Sequence, residues 1–243
     1  MTVENPYAPP TAKVGDFAQL PTIAPSSAFR DPSKLTTWLK YFLYASIIID
    51  AIAAFSGVLQ FQLLSDFNLG VYSSEALVNA AAESNDKRQQ IIMVFQFCIG
   101  VTTIVVFAMW IYRANFNSRQ LGAQGMKFSP GWSVGYYFIP ILWFWKPYQA
   151  MKEIWQTSKT PTSWESVTRG TVLPWWWFFY LISNMLANAS FRSSLHAKEI
   201  GELLTSTGIT IASNVINIPA AIVALVLVKQ IYEMQMSHVQ QHI

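Results

Sequence analysis

The chain has 243 residues, of which 52% are apolar and only 12% charged, about half the charged share of an average soluble domain. Its net charge of +3 is too small to mark a nucleic-acid surface, and its one cysteine, Cys98, excludes an intramolecular disulfide. The charges fall in a few intervals between long uncharged runs, which favours an all-α integral membrane helical bundle over a soluble fold.

Residues 1–34 hold six of the twelve prolines, at Pro6, Pro9, Pro10, Pro21, Pro25 and Pro32. With no apolar h-region or cleavage site, this stretch reads as a disordered proline-rich cytoplasmic tail rather than a signal peptide. Residues 35–232 then read as one membrane domain with four transmembrane helices, at about 39–60, 91–112, 172–191 and 209–228. Each run is about 20 residues long, enough at about 1.5 Å per residue to cross the hydrocarbon layer of about 30 Å. Cys98 lies inside the second run, where a small apolar packing role is expected. Between the first two runs, Glu75, Glu83, Asp86, Lys87 and Arg88 read as a solvated loop without metal-ligand spacing. Residues 233–243 read as a short C-terminal tail carrying His238 and His242.

The interval between the second and third runs contains the aromatic stretch 132–145, broken at Pro140. It is too short to span as a straight helix, and the proline removes a helical hydrogen bond. The lysine and arginine placement gives a second argument. With four spans and a cytoplasmic N-terminus, Lys13, Arg30, Lys34, Lys40, Arg113, Arg119, Lys127, Lys146, Lys152, Lys159, Arg169 and Lys229 lie inside, against Lys87, Arg88, Arg192 and Lys198 outside, 12 against 4. A fifth span reduces the bias to 9 against 7 and contradicts the positive-inside rule. Residues 129–157 are therefore expected as a re-entrant or interfacial element, with both termini cytoplasmic. The same map gathers all ten tryptophans at the cytoplasmic face, where indole rings favour the headgroup boundary.

Local punctuation divides this interval. Ser129 and Pro130 read as N-cap and first helical position, and Lys146 with Pro147 restarts a helix. From 147 to about 157, Tyr148, Met151 and Trp155 share one face and Gln149, Lys152, Glu153 and Gln156 the other, the pattern of an interfacial amphipathic helix. Thr162 and Glu165 have the spacing of a capping box, followed by Arg169 in a last turn and Gly170 as its cap. Gly131 and Gly135 have the spacing of a close helix contact, within the chain or in a homo-oligomer.

Three motifs, WIYRANFNSRQLG at 110–122, FSPGWSVGYYFIPILWFWKPYQAMKEIW at 128–155 and PWWWFFYLISNMLANASFR at 174–192, resemble the bacterial membrane proteins grouped as domain of unknown function 4328. The resemblance runs over about 35–232. It implies a multi-pass protein of the bacterial inner membrane and supplies no catalytic residues to carry over.

Candidate functional residues fall into two groups. Asp50 sits mid-span, where a carboxyl group needs a partner or a role. Asn184 and Asn188, four residues apart on the third span, are the expected partners in a polar seam, either as helix glue or as part of a proton or cation path. The second group, Arg113, Lys127, Trp132, Lys146, Lys152 and Trp155, is the expected contact for anionic lipid or a partner protein. Asn115 and Asn117 are expected to cap the exposed carbonyls at the end of the second span. No P-loop, G-x-S-x-G or H-E-x-x-H motif occurs, so the expectation is a non-enzymatic protein with no catalytic, cofactor or metal residues. The leading expected function is a lipid- or partner-binding module, and the alternative is a small transporter or channel subunit using Asp50.

Overall fold

The computed structural model describes residues 28–240, and the described chain is all-helical. Of the tail expected over residues 1–34, residues 1–27 lie outside the described residues, as does His242, while Ser33 already opens the first helix. Six α-helices follow in order: α1 (Ser33–Asn68), α2 (Glu75–Gln120), α3 (Pro130–Gly135), α4 (Lys146–Lys159), α5 (Val172–His196) and α6 (Ile200–Gln240). Three of them, α1, α2 and α6, are long and apolar enough to cross a membrane. Helix α5 has the length, at 25 residues, but its tryptophans and asparagines keep it out of that apolar set.

Each of the four expected apolar runs lies within a longer helix. The loop expected to carry Glu75 through Arg88 shrinks to 69–74, because Ser74 caps α2 by accepting the Leu77 N–H at 3.4 Å and the alanine-rich stretch behind it favours helix. At the other hairpin only 197–199 separate α5 from α6. His238, expected in a tail, instead belongs to the last turn of α6, with Nε2 3.0 Å from the Ser158 carbonyl oxygen.

Helices α1 and α6 run antiparallel, with the Ser33 and Tyr232 hydroxyls 3.0 Å apart at one end and Gly57 against Ile211 toward the other. A Cβ on Gly57 would stand 2.7 Å from Ile211 Cγ1, so this approach requires glycine. Helix α1 also packs on α2, and α5 packs along α6. Pro219 lies inside α6, and its missing N–H releases the carbonyl one turn earlier.

The apolar core sits at one end of this bundle. Leu39, Trp110, Ile154, Leu173, Leu227 and Ile231, each almost wholly buried, belong to one cluster that joins α1, α2, α4, α5 and α6. Along the rest of the long helices the apolar side chains face outward: Ile48 and Phe55 on α1, Phe95 and Phe97 on α2, and Val226 on α6 are all exposed. None of the most apolar stretch of α2 is buried. Such a continuous apolar exterior suits lipid contact. Cys98, expected as a packing residue, stands exposed on this outer surface of α2.

Candidate functional site

Asp50 occupies the middle of α1 and is 9% exposed. Its neighbours are not the asparagines of α5. Gln96 of α2 donates an N–H to Asp50 Oδ1 at 3.0 Å and another to Asn214 Oδ1 of α6 at 3.1 Å. Asn217 lies one turn beyond Asn214 on the same side of α6. The polar seam thus links α1 to α2 and α6, because these are the helices α1 packs against. Asn184 is exposed and turns back to its own helix, its Nδ2 donating to the Tyr180 carbonyl at 2.7 Å, and Asn188 is also exposed.

Gln96, Asn214 and Asn217 are the polar residues of this region that the sequence reading leaves unmarked. The available signal was weak: three carboxamides inside otherwise apolar runs, two of them three residues apart and so on one helix face.

Next to this seam lies a cavity of about 630 Å³ whose walls come from α1, α2, α5, α6 and the segment after α3. Four residues of α1, Leu43, Ser46, Ile49 and Asp50, line it, spread over about 10 Å of the helix. Asp50, Gln96, Asn217 and Asn184 mark its polar end, while Phe107, Phe138, Trp176 and Tyr180 form an aromatic stretch of the wall. Two buried hydroxyls lining it, Tyr137 Oη and Ser183 Oγ, have no hydrogen-bond partner. An unpaired buried hydroxyl costs about 1–3 kcal/mol, so both call for a partner that the protein does not supply.

The short segment that closes this cavity leaves the α4 end of the bundle and returns to it. Ser129 caps α3 through the Trp132 N–H at 3.3 Å with Pro130 in the first helical position, as the sequence indicates. The 3-10 turn Tyr136–Phe138 follows, then a reversal at Ile141, and then the 3-10 turn Leu142–Phe144. Ile141 has φ 70°, a costly conformation for a β-branched residue. The two ends of the excursion meet where the Phe128 N–H donates to Glu153 Oε1 at 3.3 Å. The aromatic face of Tyr137 and Phe138 is thereby aimed at the cavity.

Helix α4 is not laid on a surface. Met151, Ile154 and Trp155 are buried as an apolar face should be, but Glu153 and Gln156 of the expected polar face are buried too. Each has a specific partner: Glu153 holds Phe128, and the Gln156 amide donates to the Val167 carbonyl. Trp155, expected as a lipid or partner contact, is 7% exposed. Its Nε1 donates to Gln230 Oε1 at 3.3 Å, and Lys159 Nζ stands 5.3 Å from its ring centre. Gly170 completes the fit, since a Cβ there would meet the indole at 2.6 Å. The Thr162 and Glu165 spacing builds no α-helix; Pro161–Ser166 is a 3-10 turn anchored by buried Trp164, whose Nε1 donates to the Gln124 carbonyl at 2.8 Å.

The other members of the basic group divide. Arg113 donates to the Asp31 carbonyl at 3.2 Å, and Lys146 Nζ sits 5.6 Å from the Phe128 ring centre. Lys152 is half-buried, while Lys127 and Trp132 are exposed. Asn115 and Asn117 lie within α2 and tie down neighbouring segments instead of capping the helix. Asn115 donates to the Phe128 carbonyl at 3.0 Å, and Asn117 exchanges two hydrogen bonds with the Arg30 backbone.

Burial raises the Glu153 carboxyl above its usual range, opposed by the N–H groups of Phe128 and Lys127 and by the charges of Arg119 and Lys127. A carboxyl raised in the folded state binds more protons there than in the unfolded chain, so this contribution is full at low pH and is lost as pH rises through the raised value. Thermal melts over about pH 4–7 are expected to lose stability on this account as pH rises. The Glu153→Gln chain, which keeps an acceptor for Phe128, should lack that component. Identical pH profiles for the two chains would contradict it.

A family model described as Domain of unknown function (DUF4328) matches residues 73–233. The matched stretch takes in Gln96, Tyr137, Ser183, Asn214 and Asn217 and begins after α1, so Asp50 lies outside it. No curated protein and no solved structure matches the chain.

Proposed function

The chain belongs to the DUF4328 family, and from that premise we propose a multi-pass bacterial inner-membrane protein that binds a small molecule within the bilayer and serves its transport. In this reading α1, α2, α5 and α6 cross the membrane, and the 129–157 segment enters from the cytoplasmic side and returns to it. The length of α5 and its packing along α6 support a fourth crossing. The lysine and arginine bias supports a cytoplasmic α4 end and cytoplasmic termini. The absence of enzyme motifs from the sequence supports a non-catalytic role.

The observation that carries the proposal is the convergence of one carboxyl and two unpartnered buried hydroxyls on a cavity large enough for an organic molecule. Helix glue alone accounts for Asp50 and Gln96 but leaves Tyr137 and Ser183 unexplained. The exposure of Lys127 and Trp132 supports an accompanying contact with anionic headgroups or a partner protein. The rest of the expected basic and aromatic layer is largely occupied inside the molecule.

Native mass spectrometry of gently extracted protein tests the main reading. The unaltered chain is expected to retain a small molecule that both Asp50→Asn and Ala220→Trp lose, Ala220 being part of the cavity wall. Retention by both folded variants would move the ligand elsewhere.

A further inference from the structure

The composition of the cavity wall identifies the kind of molecule that fits it. We infer that the occupant is an amphipathic organic cation, with an ammonium-type head at Asp50 and an apolar, ring-bearing body along the aromatic wall; this rests on the binding role proposed above.

Charge gives the sign. Among the described residues lining the cavity, Asp50 alone carries a formal charge, with no lysine or arginine to receive an anion. The free hydroxyls of Tyr137 and Ser183 can accept hydrogen bonds as well as donate them, so neither selects against a cation.

The aromatic wall fits the body of such a molecule. Tyr137 and Tyr180 meet edge to face with ring centres 5.8 Å apart, and Trp176 stacks on Tyr180 at 6.0 Å. Such rings offer apolar and stacking contact to a ring-bearing body.

A bare metal ion fits poorly. Calcium or magnesium asks for about six oxygen ligands, whereas Gln96 presents an N–H to the Asp50 carboxylate. The described residues also contain no group of three His, Cys, Asp or Glu side chains able to hold an ion. The volume of about 630 Å³ lies within the range typical of organic-ligand sites.

The test uses the full chain in phosphatidylcholine nanodiscs, a zwitterionic bilayer that does not itself concentrate cations. Three probes with similar bodies and different heads are titrated by calorimetry: 4-phenylbutylammonium, 4-phenylbutanol and 5-phenylpentanoate. Saturable binding of the ammonium is expected, weaker by about tenfold or more in Asp50→Asn, the loss of one charge-assisted hydrogen bond. Asp50→Glu should recover much of the affinity, which separates loss of charge from loss of fold. Ala220→Trp should abolish binding.

If the alcohol or the carboxylate binds as tightly as the ammonium and Ala220→Trp still blocks it, the cation assignment falls and the cavity remains a binding site. Equal ammonium affinity in Asp50→Asn likewise overturns the cation assignment. If no probe binds saturably, or if Ala220→Trp binds as the unaltered chain does, the binding role itself is overturned.

Discussion

Truncating Trp110 to alanine is expected to destabilise the protein by about 3–5 kcal/mol, the usual cost of emptying a buried indole site. Trp110 is 1% exposed in the cluster where α1, α2, α4, α5 and α6 converge. Its ring stacks on Phe107 with centres 6.0 Å apart, and Nε1 donates to Thr36 Oγ1 at 3.1 Å. The substitution therefore leaves a cavity and also deprives a buried hydroxyl of its donor. Trp110→Phe should retain most of the packing and lose chiefly that hydrogen bond, at about 1–2 kcal/mol. Thermal unfolding in one detergent compares the variants, and equal melting temperatures for the alanine and phenylalanine chains would refute a core built around this indole.

Gln235→Leu is expected to cost about 2–4 kcal/mol by a different route, through polar groups left unpaired in a closed interior. Gln235 Nε2 lies 2.9 Å from the Ala114 carbonyl, 3.0 Å from Ser158 Oγ and 3.2 Å from Ser118 Oγ. One amide thus links α6 to α2 and α4. Its two hydrogens serve three acceptors, so one is shared. Leucine has nearly the same bulk but donates nothing, and α4 should be the element that loosens. Limited proteolysis is expected to cut within 146–166 sooner in this variant. Adding Ser118→Ala and Ser158→Ala should restore part of the lost stability, because replacing both sides of a polar contact costs less than replacing one. No recovery in the triple variant would assign the loss to leucine packing instead.

The sequence carried the long helices and their punctuation legibly. Four apolar runs, the Ser129–Pro130 start and the break at Pro140 each correspond to a feature of the fold, because helix length, capping and the missing proline N–H are local effects. Two things were not local. The charged stretch from Glu75 to Arg88 read as a loop since polarity marks solvent, yet a well-capped alanine-rich segment stays helical in water as well as in lipid. The partners of Asp50 depended on which helices touch. Asn184 on α5 and Asn214 on α6 are equivalent by composition, and only the packing of α1 on α6 decides between them. The polar face of α4 departs from its expected surface exposure for a related reason: polar side chains that find buried partners need no water, so Glu153 and Gln156 carried a surface signature into the interior.

Because Cys98 is the chain's one thiol and looks outward from α2, the natural protein holds its own attachment point for a nitroxide. A spin label there needs no engineered residue. With α2 immersed as proposed, the label would meet dissolved oxygen far more often than a water-borne relaxation agent, and its depth would fix the height of the neighbouring Gln96 relative to the bilayer centre.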